Sequence, residues 1–133
     1  MSTDIDPIRE LEAAAEFDRQ MRKENADVRA QNDAFRSNFE ARLGRDRVVI
    51  TSGLKALGSA FCQRAFQAVR AYDSFTEAND PWGEHDFGTF EIDGHPLCWK
   101  IDLYDNELEM YSPDPRDPTQ TRRVLTIMLQ GEY

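Results

Sequence analysis

The sequence predicts an α+β fold: a small antiparallel meander sheet packed against a core helix, with a long N-terminal helical segment. Three observations support this. Residues 8–43 contain no glycine or proline, residues 59–72 carry apolar side chains at helical spacing, and residues 87–103 alternate between apolar and polar. With 133 residues, 40% of them hydrophobic, the chain is long enough to bury one core without disulfides or metal.

The first helical segment is predicted to begin at Pro7, with Asp6 as its N-cap, and to extend toward Leu43. Its apolar spacing is uneven. One row spaced by seven residues is apolar, Ala14, Met21, Val28 and Phe35, whereas the companion row is polar in its middle, Leu11, Asp18, Asn25, Asn32 and Phe39. We therefore expect either a break between Asn25 and Asp33 or an extended arm used for self-association.

A strand and the main core helix are predicted next. The β-branched run from Arg47 to Thr51 is bounded by glycines, which indicates a strand. In the following helix, Ser59 is a possible cap. The residues expected to face the core are Phe61, Ala65, Phe66, Val69 and Tyr72. The stretch NDPWGEHDFG is rich in turn formers and predicts an ordered surface loop.

Asp93-Gly94 lies between two alternating runs and predicts a tight hairpin. Its pairs should be Phe90 with Leu97, Gly88 with Trp99 and Thr89 with Cys98, so that the Trp99 ring covers the glycine. A second turn at Asp105-Asn106 would add a third strand. That strand would pair Leu103 with Leu108, Ile101 with Met110, Asp102 with Glu109 and Lys100 with Tyr111.

The C-terminal segment offers two interpretations. Asp117-Pro118 resembles a helix start, and Val124, Leu125, Met128 and Leu129 follow helical spacing, which favours a helix. The β-branched residues in RVLTIML support a strand as the alternative.

Charge is unevenly distributed along the chain, whose formal net charge is −9. Residues 73–133 hold 14 acidic and 4 basic residues, a net charge of −10. Such a field repels phosphates, so we expect no direct binding of nucleic acid and instead a basic protein partner. The acidic N-terminus and the lack of a long apolar run predict a cytoplasmic protein without membrane contact, and Cys62 and Cys98 are expected to be reduced thiols.

The predicted polar face of the sheet and the preceding loop form the candidate partner-binding surface. Its residues are Asp80, Glu84, Asp86, Glu91, Lys100, Asp102, Tyr104, Glu107, Glu109 and Tyr111. Tyrosines among charged residues are typical of interface hot spots. A plain solvated face is the alternative, since antiparallel sheets normally leave one side to water.

No metal site, cofactor site or standard catalytic motif is predicted. His85, His95 and Cys98 lack the usual ligand spacing, and no phosphate loop or nucleophile motif is present. The remaining enzyme hypothesis groups His85, Asp86, Lys100 and Asp102, with Glu84 nearby, as acid, base and electrostatic residues. Against it, His85 and Asp86 can simply fix the loop by hydrogen bonds.

Four stretches, NDPWGEHDFG, WKIDLYD, SPDPRDP and TRRVLTIMLQGEY, give the chain a family resemblance. It resembles an uncharacterised domain-of-unknown-function family found on proteobacterial plasmids and other mobile elements. The resemblance covers roughly residues 28–133, so residues 1–27 are expected to form a helical extension outside a single domain. It implies no activity and no catalytic residue, but it implies a setting in which small accessory proteins often block host defences.

Charge and setting together lead to one functional hypothesis. We expect an acidic, non-catalytic inhibitor, of the anti-CRISPR or anti-restriction kind, that occupies the nucleic-acid-binding surface of a host defence protein by charge mimicry. The alternatives are a small enzyme using the His85 cluster and a dimeric adaptor that associates through residues 7–43.

Overall fold

The computed structural model describes residues 6–133 and confirms the α+β class. Two short 3-10 turns, Phe39–Arg42 and Gln130–Glu132, accompany the main elements. In chain order these are α1 (Pro7–Glu24), α2 (Ala26–Ser37), β1 (Arg47–Ile50), α3 (Ser52–Lys55), α4 (Ser59–Arg70), β2 (Phe87–Ile92), β3 (His95–Tyr104) and β4 (Arg122–Leu129).

The four strands form one mixed sheet in the order β1-β4-β3-β2. Strands β2, β3 and β4 make an antiparallel meander, and β1 joins β4 in parallel. The β2–β3 hairpin has the predicted register, with Gly88 opposite Trp99. Asp93 and Gly94 both have positive φ, at 51° and 79°, as this type of two-residue turn requires.

The predicted third strand is wrong. Residues 105–121 form a loop, and of the four expected pairs none is present in the sheet: Asp102 lies opposite Val124 instead of Glu109. Tyr111 makes an isolated bridge with Tyr104. Met110, expected to pair with Ile101, is 68% exposed. The turn at Asp105 exists, with Glu109 N–H bonded to the Asp105 carboxylate, but the chain then leaves the sheet.

The favoured C-terminal helix is also wrong, because Arg122–Leu129 forms β4 in the centre of the sheet. Arg123, Leu125 and Ile127 are buried, and the intervening side chains are half-buried, which is the period of a strand. Pairing with both β1 and β3 gives β4 hydrogen bonds along both of its edges. This stabilises the strand more than the helical spacing of its apolar residues would stabilise a helix. Asp117 caps no helix; its carboxylate accepts the backbone N–H of Thr119 in a local turn.

Helices α2 and α4 cover one face of the sheet and enclose the core. Trp99, Phe35 and Leu125 are fully buried there. Helix α4 is the core helix that the sequence predicts, although Gly58 with φ of 96°, and not Ser59, occupies its N-cap position. Trp99 lies over Gly88, where an added Cβ would come 2.5 Å from the indole nitrogen. Both cysteines are free and buried.

The N-terminal helical segment divides at Asn25, within the range expected for a break. Hydrogen bonding nevertheless continues across it, from Asn25 N–H to the Met21 carbonyl and from Arg29 N–H to the Asn25 carbonyl. Helix α2 buries Phe35, whereas α1 has no buried side chain. Among residues 6–133, no helix combines the length and apolar character needed to cross a bilayer.

Candidate functional site

Five of the predicted partner-binding residues meet in one surface cleft of about 210 Å³. We call it the acidic cleft, and it is formed by Glu84, Asp86, Asp102, Tyr104 and Tyr111 around Ile101 and Leu103. Asp86 immediately precedes β2, and Asp102 and Tyr104 belong to β3, so the sheet fixes one side. Glu84 comes from the preceding loop, and Tyr111 from the loop after β3. Asp80 lies beside it, in an adjoining cavity that Glu84 and Asp86 also line.

The other four predicted residues do not line this cleft. Glu91 is exposed near the far end of β2, opposite Pro96. Glu107 and Glu109 are exposed on the loop of residues 105–121. Lys100 is paired with Asp102, with Nζ 2.9 Å from Oδ2.

A third cavity, of about 360 Å³, also meets Glu84 and is bordered by residues that the sequence interpretation missed. These are Glu24, Asn25 and Val28 at the α1–α2 junction, together with Pro115 and Arg116. Only the polar row through Asp18, Asn25 and Asn32 could have indicated a contact of these helices with another part of the chain.

The surroundings of Glu84 and Asp86 in the acidic cleft disfavour the ionisation of both carboxyl groups. Burial, then repulsion by Asp86, a hydrogen bond with Asp86 and repulsion by Asp80 raise the pKa of Glu84 to about 7. Burial is also the largest cause that raises the pKa of Asp86, and repulsion by Asp80 and Asp102 adds to it. Because the two carboxyl groups interact, they do not titrate independently, and the loss of a proton from one raises the pKa of the other.

Among the residues that the structure describes, no basic side chain compensates this pair. Within residues 6–133, the ion pairs formed by carboxylates include neither Glu84 nor Asp86. The pKa of the Tyr111 hydroxyl is raised by burial and by the same two carboxyls. The cleft therefore combines two carboxyl groups that have no ion-pair partner among the described residues with two aromatic rings.

His85 is held by side chains on both sides of its ring. Its Nδ1 lies 2.8 Å from Asp33 Oδ1, and its Nε2 lies 3.4 Å from Asp80 Oδ2. Its ring stacks on Phe75. It lines a cavity with Arg22 and Arg29, whereas Asp86 and Asp102 line the acidic cleft, so the structure does not gather the four hypothetical catalytic residues around one cavity.

Side chains of α1 and α2 hold the loop that carries Glu84. The Asn32 amide donates to the Glu84 carbonyl at 2.9 Å, and Arg29 Nη1 donates to the Gly83 carbonyl at 2.8 Å. The Trp82 indole N–H donates to the Asp18 carboxylate at 3.3 Å. Within the described part of the chain, no group of three His, Cys, Asp or Glu side chains is arranged to hold a metal ion.

Comparison with known proteins gives one match. Residues 50–132 match a family described as "Protein of unknown function (DUF3768)". The match begins at the end of β1, so α1 and α2 lie outside it. Neither a curated protein nor a solved structure matches the chain.

Proposed function

This chain belongs to the DUF3768 family of proteins of unknown function, which assigns no activity to it, and we propose that it is a non-catalytic interaction protein. Its acidic cleft would bind basic side chains of a protein partner. The observation that carries the proposal is the Glu84–Asp86 pair, which is partly desolvated and has no basic partner within residues 6–133. An arginine or lysine from a partner would supply the missing countercharge.

The walls of the cleft also suit such a side chain. Tyr104 and Tyr111 offer aromatic faces against which a guanidinium can stack.

Charge mimicry is the mechanism we propose. A partner whose basic surface normally neutralises phosphates would instead be neutralised by the carboxylates, so association should be fast and should weaken as salt rises. The mobile-element setting that the sequence resemblance implies makes a host defence protein that binds nucleic acid the first partner to test.

Binding of an oligo-arginine peptide, followed by NMR at low and high salt, tests the cleft directly. We expect the largest shifts at Glu84, Asp86 and Asp102 and a loss of affinity of about tenfold or more in Glu84→Gln/Asp86→Asn, since each buried charge pair contributes on this scale. Glu91→Gln is the matched control, because it removes one carboxylate outside the cleft. Equal affinity of the double variant and the wild type would rule the proposal out.

The partner itself can be tested by competition. Nucleic-acid-binding proteins captured from host lysate should be retained at low salt and released by duplex DNA. Capture that resists DNA, or that the cleft variant retains, would contradict charge mimicry.

One observation favours a second candidate, an acid–base enzyme. A carboxyl with a pKa of about 7 is suited to proton transfer near neutral pH. If the cleft is catalytic, Glu84→Gln should lower the turnover rate by about 100-fold or more and leave the affinity for the ligand unchanged.

Exposed apolar residues on α1 favour a third candidate, a dimeric adaptor. Ile8, Leu11 and Phe17 are 68%, 70% and 56% exposed. The wild type should then have the mass of a dimer in solution, and the variant Leu11→Lys should have the mass of a monomer. A monomeric wild type would exclude self-association through this helix.

A further inference from the structure

Four consecutive backbone carbonyls of the loop before β2 each accept a hydrogen bond from a side chain of the N-terminal helical segment. The donor–carbonyl pairs are Arg22–Pro81 at 2.9 Å, Asn25–Trp82 at 3.1 Å, Arg29–Gly83 at 2.8 Å and Asn32–Glu84 at 2.9 Å. The next residue is bound too, because Asp33 Oδ1 lies 2.8 Å from the ring of His85. We call this set of contacts the carbonyl ladder.

The spacing of the donors explains how two helices can supply one ladder. They are three, four and three residues apart, which places them on one face of a helix. The backbone hydrogen bonds that continue across Asn25 keep this face in line from α1 into α2. The polar row in the sequence is therefore a contact surface for the loop.

The loop adopts a conformation that needs such support. Gly83 and His85 have φ of 63° and 52°, on either side of Glu84. A side chain at residue 83 would bring its Cβ to 2.7 Å from Arg29 Nη1, so glycine allows the arginine to reach the backbone. The left-handed conformation of His85 is unfavourable on its own and persists where surrounding contacts fix it.

The ladder is also anchored in the core. The Asn32 side chain is fully buried, and its Oδ1 accepts a hydrogen bond from Arg123 Nε of β4 at 2.8 Å. A continuous series of hydrogen bonds thus runs from the central strand through α2 to the backbone of Glu84. Asn25, which donates to Trp82, also forms part of the wall of the cavity beside Glu84.

We infer that the α1–α2 segment is a positioning element for the acidic cleft, and that Arg22, Asn25, Arg29 and Asn32 fix the backbone that presents Glu84. This inference rests on the proposed function for its consequence in binding, but the positioning itself can be measured without any partner. The α1–α2 segment thus contributes to the geometry of the site, although the family match begins only at residue 50.

The test is the double variant Asn25→Ala/Arg29→Ala, with Arg19→Ala as its control, because Arg19 pairs within α1, with Glu16. Losing two loop contacts should speed amide hydrogen exchange at residues 82–86 by about tenfold or more while β3 and β4 stay protected. The pKa of Glu84, followed by carboxyl NMR, should move back toward its ordinary value. The control should leave both readouts unchanged.

Unchanged exchange and an unchanged Glu84 titration in a folded double variant would overturn the inference. If the double variant does not fold, the single variant Asn25→Ala, which removes a contact at the surface, provides the same two readouts. Oligo-arginine binding then separates the two proposals. A loosened loop with weakened peptide binding supports both, whereas an unaffected peptide affinity in Glu84→Gln/Asp86→Asn contradicts the proposed function and leaves the positioning result standing.

Discussion

The imidazole of His85 lies flat on the ring of Phe75, with centroids 3.7 Å apart and planes 4° apart. The same ring is bonded to Asp33 of α2, so its edge and its face are both occupied. These contacts are those of a residue that fixes the loop.

Replacing His85 with alanine should therefore lower the free energy of unfolding. The loss of the stacked pair and of the Asp33 hydrogen bond should cost about 1–3 kcal/mol, measured by urea denaturation. Glu107→Ala is the control, because Glu107 is exposed on the loop of residues 105–121 and should change stability by less than about 0.5 kcal/mol. Equal stability of the two variants would show that the His85 contacts contribute little.

Gly88→Ala tests the packing beneath Trp99. The new Cβ would lie 2.5 Å from the indole nitrogen and 2.6 Å from Tyr72 Cζ, so the core must shift. We expect a loss of about 1–3 kcal/mol by overpacking. Gly131→Ala, with nothing within 4 Å of its Cβ, should be nearly neutral. A neutral Gly88→Ala would mean that the aromatic cluster can rearrange freely.

Stability should depend on pH through Glu84. Its pKa is raised from 4.5 to about 7 in the folded chain, so in this window the folded state holds a proton that the unfolded state has released. The free energy of unfolding should thus decrease as the pH rises from about 4.5 to 7 and level off above, by about 1–2 kcal/mol once solvent screening is allowed for.

The variant Glu84→Gln should flatten this dependence and be more stable than the wild type at pH 8. The matched control is Glu109→Gln on the exposed loop, which should keep the wild-type curve. Denaturation at pH 5 and pH 8 gives the comparison. Parallel curves for the wild type and Glu84→Gln would contradict a raised pKa for this carboxyl.

Truncation should separate the two N-terminal helices. Within the described residues, removing residues 1–15 deletes turns of α1 that have no buried side chain, so the thermal midpoint should change by no more than a few degrees. Removing residues 1–37 deletes Phe35 and Asn32, both fully buried, and should abolish cooperative unfolding in calorimetry. A folded shorter form would show that the core tolerates the loss of α2.

The elements that the sequence predicted well are those with local signals. The β2–β3 hairpin follows from Asp93-Gly94 and the alternation on either side, and its register is as expected. Helix α4 follows from its apolar spacing. The acidic cleft was predicted in part. Glu84, Asp86 and Asp102 lie together in it, because the hairpin places the start of β2 beside β3.

The elements that were missed depend on distant partners. Strand β4 pairs with β1 from Arg47 opposite Val124, and neither segment alone shows that the other exists. The contact of α1 and α2 with the loop before β2 was not predicted, because the acceptors are loop carbonyls more than fifty residues away in the sequence. Hydrogen bonds to backbone leave no pattern in the sequence of the acceptor.

The position of β4 has a consequence for synthesis of the chain. Strands β1 and β3 are neighbours only through β4, which follows both by many residues. While residues 1–121 leave the ribosome, Trp99 and Leu97 have a sheet partner on one side only, and β1 has none. These strand edges therefore stay unpaired until residues 122–129 have been synthesised, and this long-range closure is expected to slow folding.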